Sequence, residues 1–170
     1  MNKNKFLLLF LLCCGLPLLA AKLVLAMGWY NGGASSNGQW QQSDVFLLDA
    51  TTEQAHWRLA VTSKAQCSEH CLQALFTLKQ LYIGLGRKQD QVQPVLISQQ
   101  AVPDDYAMFV LSTPRQAVPA ALEQRILLID QQGLVLLSYP MPEAESEMAL
   151  TAKAIRKDLL KLLNYDRTSA

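Results

Sequence analysis

The sequence predicts an α/β sandwich, a central mixed sheet with flanking helices, set behind one N-terminal transmembrane helix. Three observations predict it. The chain opens on a long apolar run with a single charge. Two later segments repeat apolar residues at steps of four and three, the period of a helix with one buried face. Between and after them lie short β-rich runs, the last two joined by a three-residue turn ending in Gly133.

The chain has 170 residues, enough for one domain of common size with additions. Its formal net charge is +1 and no basic block occurs, which argues against a nucleic-acid partner. There is no glycine-rich phosphate loop and no serine–histidine pattern. The Asp104–Asp105 pair reads as a helix-start signal rather than a catalytic dyad.

From Phe6 to Tyr30 the only charge is Lys22. A bilayer core of about 30 Å needs roughly 20 apolar residues in a helix. Lys22 lies near the far end, where its side chain reaches the headgroups, and Trp29 and Tyr30 suit the aromatic belt. A cleaved signal peptide, with Val24-Leu25-Ala26 as its cleavage site, is the rival reading, but its apolar region is shorter, about 7–15 residues. Cys13 and Cys14 read as small apolar residues of the span. Lys3 and Lys5 keep the N-terminus in the cytoplasm and export the rest. In a bacterium this gives a single-pass inner-membrane protein with a periplasmic domain, where thiols can be oxidised. The expected organisation is an anchor over residues 1–30, a flexible tether over 31–44, the folded domain over 45–164 and a tail over 165–170.

The tether reading rests on "NGGASSNGQWQQS", with Trp40 packing on the domain or membrane surface. Val45–Asp49 and Trp57–Thr62 read as strands. Cys71, Leu75, Leu78, Tyr82 and Leu85 then mark a helix that ends at Gly84 and Gly86. Val92–Ser98 is a strand in which Pro94 should lie at an edge or early. Pro103–Leu111 reads either as a short helix or as a strand. Ile126–Asp130 and Leu134–Tyr139 form a hairpin, and Met148, Ala152, Ile155, Leu159 and Leu162 give a closing helix.

Cys67 and Cys71 stand where the first of these helices begins. Three readings are open: a thiol pair, a copper(I) site, or a structural disulfide. The positive end of a helix favours a thiolate at Cys67, with Lys64 and His70 adding to it and Glu69 opposing. Cys71 falls on the buried face, so Cys67 is the accessible nucleophile and Cys71 the resolving partner. Residues four apart in a regular helix have Cβ atoms roughly 5–6 Å apart, against about 3.8 Å in a disulfide. A Cys67–Cys71 bond therefore requires Cys67 to lie in the loop or a distorted first turn. A loop this short restricts the unfolded chain only modestly, which makes a staple a poor reason for the pair. For copper(I), thiolates and imidazole are suitable donors, and the candidates are Cys67, Cys71 and His70. His56 reads first as a surface residue and only second as a ligand.

The membrane anchor, the polar tether, "WRLAVTSKAQCSEHCLQALFTLKQL", "VQPVLIS" and "ILLIDQQGLVLLSYP" in that order resemble the Sco/SenC family. Within that resemblance the chain is most similar to transmembrane proteins encoded among proteobacterial cytochrome c oxidase biogenesis genes. The resemblance implies a thioredoxin-like fold, a role in oxidase assembly, and a copper site of two cysteines with a histidine ahead of the hairpin. Cys67 and Cys71 match the cysteines, whereas residues 110–128 contain no histidine. No proline directly precedes Ile126, where thioredoxins place a cis-proline, and Pro119 lies seven residues ahead of it. Thiol–disulfide exchange, as in a thiol–disulfide oxidoreductase, is then the expected chemistry. Its expected partner is a cytochrome c oxidase subunit or one of its assembly factors. The alternatives are a non-catalytic assembly or docking factor of the same fold, with Cys67–Cys71 locked as a structural disulfide, or a copper(I) chaperone.

Overall fold

The computed structural model describes residues 3–26, 36–51, 57–64 and 67–166. The chain divides into two compact units, residues 1–35 and 36–170. The first contains helix α1, Lys3–Ala26, which carries exposed Phe10, Leu12, Leu16, Leu18, Leu19 and Leu23. Among the described residues no helix is long and apolar enough to cross a membrane. Trp29 and Tyr30, the expected interfacial belt, lie outside the described residues, as do residues 31–35 of the expected tether and 167–170 of the tail.

The second unit is built on a six-stranded sheet: β1 Gln39–Trp40, β2 Trp57–Thr62, β3 Val92–Ile97, β4 Val110–Ser112, β5 Arg125–Asp130 and β6 Val135–Pro140. Helix α2, Glu69–Ile83, links β2 to β3, and α3, Glu145–Asp166, closes the chain. The sheet order is β1-β6-β5-β2-β3-β4, with β2, β3 and β4 parallel and β1, β5 and β6 antiparallel to their neighbours. A crossover through a helix is what a parallel pair requires, and a short turn suffices for the hairpin.

Alternation along the strands creates two cores. Leu59, Val61, Leu96, Ile126 and Leu128 face one side, where Leu75 and Leu78 of α2 and Ile155 and Leu159 of α3 cover them. Ala60, Val95, Ile97, Leu127 and Ile129 face the other, covered by Val45, Leu47, Leu48 and Leu122 rather than by an α-helix. Both flanking helices therefore lie on one face. An irregularity at Leu128/Ile129 pairs Ile129 with Val135 and Leu128 with Leu137. The extra residue, Leu136, sets Val135 and Leu137 on opposite faces, as a bulge does.

Several expectations are corrected. Val45–Asp49 is not a strand: only Phe46 bridges, to Leu134, while Leu47 and Leu48 pack across the sheet. The tether does not run to residue 44, because Gln39 and Trp40 pair with Ser138 and Leu137 as an edge strand. Just before it, Asn37 and Gly38 donate their backbone N–H groups to Asp158 Oδ2 of α3 at 2.6 and 3.0 Å. Pro103–Leu111 resolves into a 3-10 turn, Asp104–Tyr106, followed by β4. Pro94 sits inside a central strand, but β4 pairs only from Val95 onward, so the proline occupies the half of β3 that β4 leaves uncovered. In the hairpin, Asp130 Oδ1 accepts the N–H groups of Gln132 and Leu134, both at 2.9 Å. Gly133 has φ +93°, and a Cβ there would overlap the Leu48 carbonyl, so this turn and the apolar segment over the sheet require glycine.

Candidate functional site

Ser68 caps α2. Its side chain accepts the Cys71 N–H at 3.4 Å, and its carbonyl accepts the Leu72 N–H at 2.9 Å. Serine is a preferred residue here because its oxygen satisfies one of the orphan donors of the first turn. The cap places Cys67 one residue outside the helix and Cys71 inside it. Freed from helical geometry, Cys67 approaches to a Cα–Cα separation of 5.3 Å, and the two sulfurs are bonded. Cys71 is buried, 2% exposed, among the residues beneath α2. Cys67 is half-buried and packs against the same core from the edge. The two sulfurs are thus unequal in access, and both lie at the positive end of a 15-residue helix.

The neighbours expected to tune Cys67 are otherwise engaged. Lys64 forms an ion pair with Glu123, which shares out its charge. His70, on the first turn of α2, lines an open cleft of about 550 Å3 together with Ser68, Ala121, Glu123, Arg125 and Glu143. Among the described residues no group of three His, Cys, Asp or Glu side chains is placed to hold a metal ion, so His70 is not gathered with Cys67 and Cys71 into a three-ligand centre. Its position next to Cys71 on a helix turns it toward the cleft instead. His56 lies outside the described residues. Cys13 and Cys14 of α1 are free and exposed.

A second cavity, about 240 Å3, opens at the carboxyl ends of β2 and β3 on the other side of Lys64 and Glu123. Ser63, Ile97, Ser98, Pro114 and Val118 line it. Ligands of open α/β sheets commonly settle at such strand ends.

Between the two cavities runs the turn that sequence reasoning missed, residues 122–125. Thr62 Oγ1 lies 2.7 Å from the Leu122 carbonyl and 3.1 Å from the Arg125 carbonyl, and it accepts the Arg125 N–H at 3.0 Å. Gln124 holds φ +51°, the one non-glycine residue with positive φ among those described, and it lines both cavities. It stands directly ahead of β5, where a thioredoxin cis-proline would be expected, and no described peptide bond is cis. Strained backbone of this kind concentrates at functional sites. No local motif announces it. Only the missing proline ahead of Ile126 pointed to the position.

A βαβ unit followed by a ββα unit, with paired cysteines at the start of the first helix, defines a thioredoxin-like domain. The chain belongs to the family described as transmembrane-like, thioredoxin-like, C-terminal domain, whose match spans residues 57–166. Solved structures similar to it include the apo Sco1 protein from Thermus thermophilus, 19% identical, covering 76% of this chain and 99% of that one with a TM-score of 0.49. A SCO1/SenC family lipoprotein from Bacillus anthracis str. Ames is 14% identical, covering 73% and 95% with a TM-score of 0.45. Bradyrhizobium japonicum ScoI, solved with copper bound, is 16% identical, covering 65% and 96% with a TM-score of 0.38. No curated protein matches the chain.

Proposed function

We propose that this chain is a membrane-anchored, periplasm-facing thiol–disulfide exchange protein that assists cytochrome c oxidase biogenesis, acting on the cysteines of an oxidase subunit or assembly factor. The observation that carries the exchange chemistry is the placement of Cys67 outside the Ser68 cap, bonded to a buried Cys71. In the reduced protein the Cys67 thiolate attacks one sulfur of a partner disulfide. A mixed disulfide forms and the other partner sulfur leaves as a thiolate. Cys71 then gives up its proton and attacks Cys67, releasing the second partner thiol. The partner gains two electrons and two protons, and Cys67–Cys71 is left oxidised, the state seen in the structure. A dithiol protein must reduce it again for another turnover.

The anchor rests on the uncharged run of residues 6–21 and on a family described as transmembrane-like. The oxidase role rests on the order of segments shared with Sco/SenC proteins. Copper(I) as cargo has two soft donors here once the pair is reduced. The described residues supply no third His, Cys, Asp or Glu beside them, so this donor set does not make a three-ligand centre and no step is drawn through copper.

The closed pair, packed against the core, favours one other reading, a docking factor in which the disulfide never opens. Cys71→Ser separates the two. Under exchange, Cys67 of that variant is trapped on a partner as a mixed disulfide that reductant releases. A variant that traps nothing, with a wild-type pair that resists dithiol reductants, supports the docking factor instead.

A further inference from the structure

The cleft beside His70 is lined by Arg125, one of whose donors no described residue satisfies. Arg125 is half-buried at the start of β5, and its Nε is shielded from solvent with no hydrogen-bond partner. A guanidinium left this way loses the water it had in the unfolded chain and gains nothing in return, so it is poised to turn toward an incoming acceptor. The surroundings say which acceptor. Ser68 and His70 bring the positive end of α2 to the same cleft. Glu123 is neutralised by its pair with Lys64. Among the described lining residues Glu143 remains as an opposing charge, and its backbone N–H donates to the Glu147 carboxylate at 3.1 Å, a second negative group at that rim. At about 550 Å3 the cleft has room for several residues of a chain, and it borders the turn that holds Cys67.

We propose that this cleft receives an acidic segment of the partner protein, with one carboxylate held by Arg125 as the partner's sulfur is presented to Cys67. A carboxylate fits because its two oxygens accept two parallel N–H bonds from one edge of a guanidinium, which a neutral amide cannot reproduce. The proposal rests on the exchange reading for the reason the partner comes, though not for the binding itself.

The test uses the full chain in detergent micelles and two peptides that differ only by Glu or Gln beside a cysteine pair. Each is made once as the cyclic disulfide and once with both cysteines replaced by serine. Binding of the serine peptides is read by fluorescence anisotropy, and reduction of the cyclic ones by thiol release. The Glu serine peptide should bind about tenfold tighter than the Gln peptide. That preference should vanish in Arg125→Gln and persist in part in Arg125→Lys, which keeps charge without the fork. Equal binding of the two peptides by the wild type overturns the proposal, as does a preference that survives Arg125→Gln. If Arg125→Gln fails to fold, the wild-type comparison and Arg125→Lys still decide. If the preference appears while neither cyclic peptide is reduced, the acidic dock stands and the exchange reading falls.

Discussion

The hydroxyl of Thr62, the last residue of β2, accepts the backbone N–H of Arg125, the first residue of β5, at 3.0 Å. The same oxygen lies 2.7 Å from the Leu122 carbonyl. One buried side chain, 2% exposed, therefore fastens the strand that leads into Cys67 to the turn that lines both cavities. Thr62→Val keeps the shape and removes the hydroxyl, leaving the half-buried Arg125 N–H without its partner at a cost of about 1–3 kcal/mol. The urea midpoint should fall with the slope unchanged, while Thr62→Ser stays near wild type. A Thr62→Val midpoint equal to wild type would show that the clamp is ornamental.

Gln124 is held by that clamp at φ +51°. A side chain in the left-handed region costs about 1–2 kcal/mol, and glycine avoids this at some cost in unfolded-state entropy. Gln124→Gly should therefore raise stability by about 0.5–1 kcal/mol, read as a higher urea midpoint. Destabilisation by the glycine would mean that the Gln124 side chain contributes packing that outweighs its backbone.

What could be read from the sequence was whatever leaves a local pattern. The steps of four and three placed α2 and α3, because helix faces repeat locally, and Gly133 placed the hairpin because only glycine suits that φ. The disulfide geometry required Cys67 outside the helix, and the structure places it there, ahead of the Ser68 cap. Long-range contacts left no such trace. Gln39 and Trp40 sit in a polar stretch that looks unstructured, and they join the sheet beside an Asp158 contact some 120 positions away. Val45–Asp49 has strand composition, yet it spends Leu47 and Leu48 on covering the sheet instead of pairing along it. Arg58 sits in a buried strand because it donates to the carbonyls of Asp49 and Asp130, acceptors that no window of sequence connects. The Arg125 cleft is assembled from three separate segments, 68–70, 120–125 and 140–143, so no motif could mark it.

Gly38 lies so close to Tyr139 that a Cβ would come within 2.6 Å of the ring. Gly38→Ala must therefore push the 36–40 arm off the domain, and the N–H contacts to Asp158 go with it. Limited proteolysis should show faster cleavage near Trp40 in this variant and in Asp158→Ala. Unchanged cleavage in both would mean that the arm is held by the β1 pairing alone.

Tyr139 ties this arrangement to pH. Its hydroxyl donates to Asp158 Oδ2 at 3.0 Å, and the residue is 2% exposed. Burial first, then the Asp158 charge and hydrogen bond, push the phenol well above its ordinary range. A phenol in the unfolded chain loses its proton near pH 10. Above that pH the unfolded state binds fewer protons than the folded one, so stability falls as pH rises. Below pH 10 both states keep the proton and the contribution is constant. Once the unfolded phenol is fully ionised, the loss should approach about 1.4 kcal/mol per pH unit from this one group. Tyr139→Phe removes that slope while losing the hydrogen bond, so its stability should be lower at pH 8 and fall less steeply between pH 10 and 11. Urea midpoints of the two proteins across that range check it, with Tyr106→Phe as the comparison, since burial and Asp105 raise that phenol as well. Parallel pH profiles for wild type and Tyr139→Phe would show that the buried phenol is not what makes the fold sensitive to alkali.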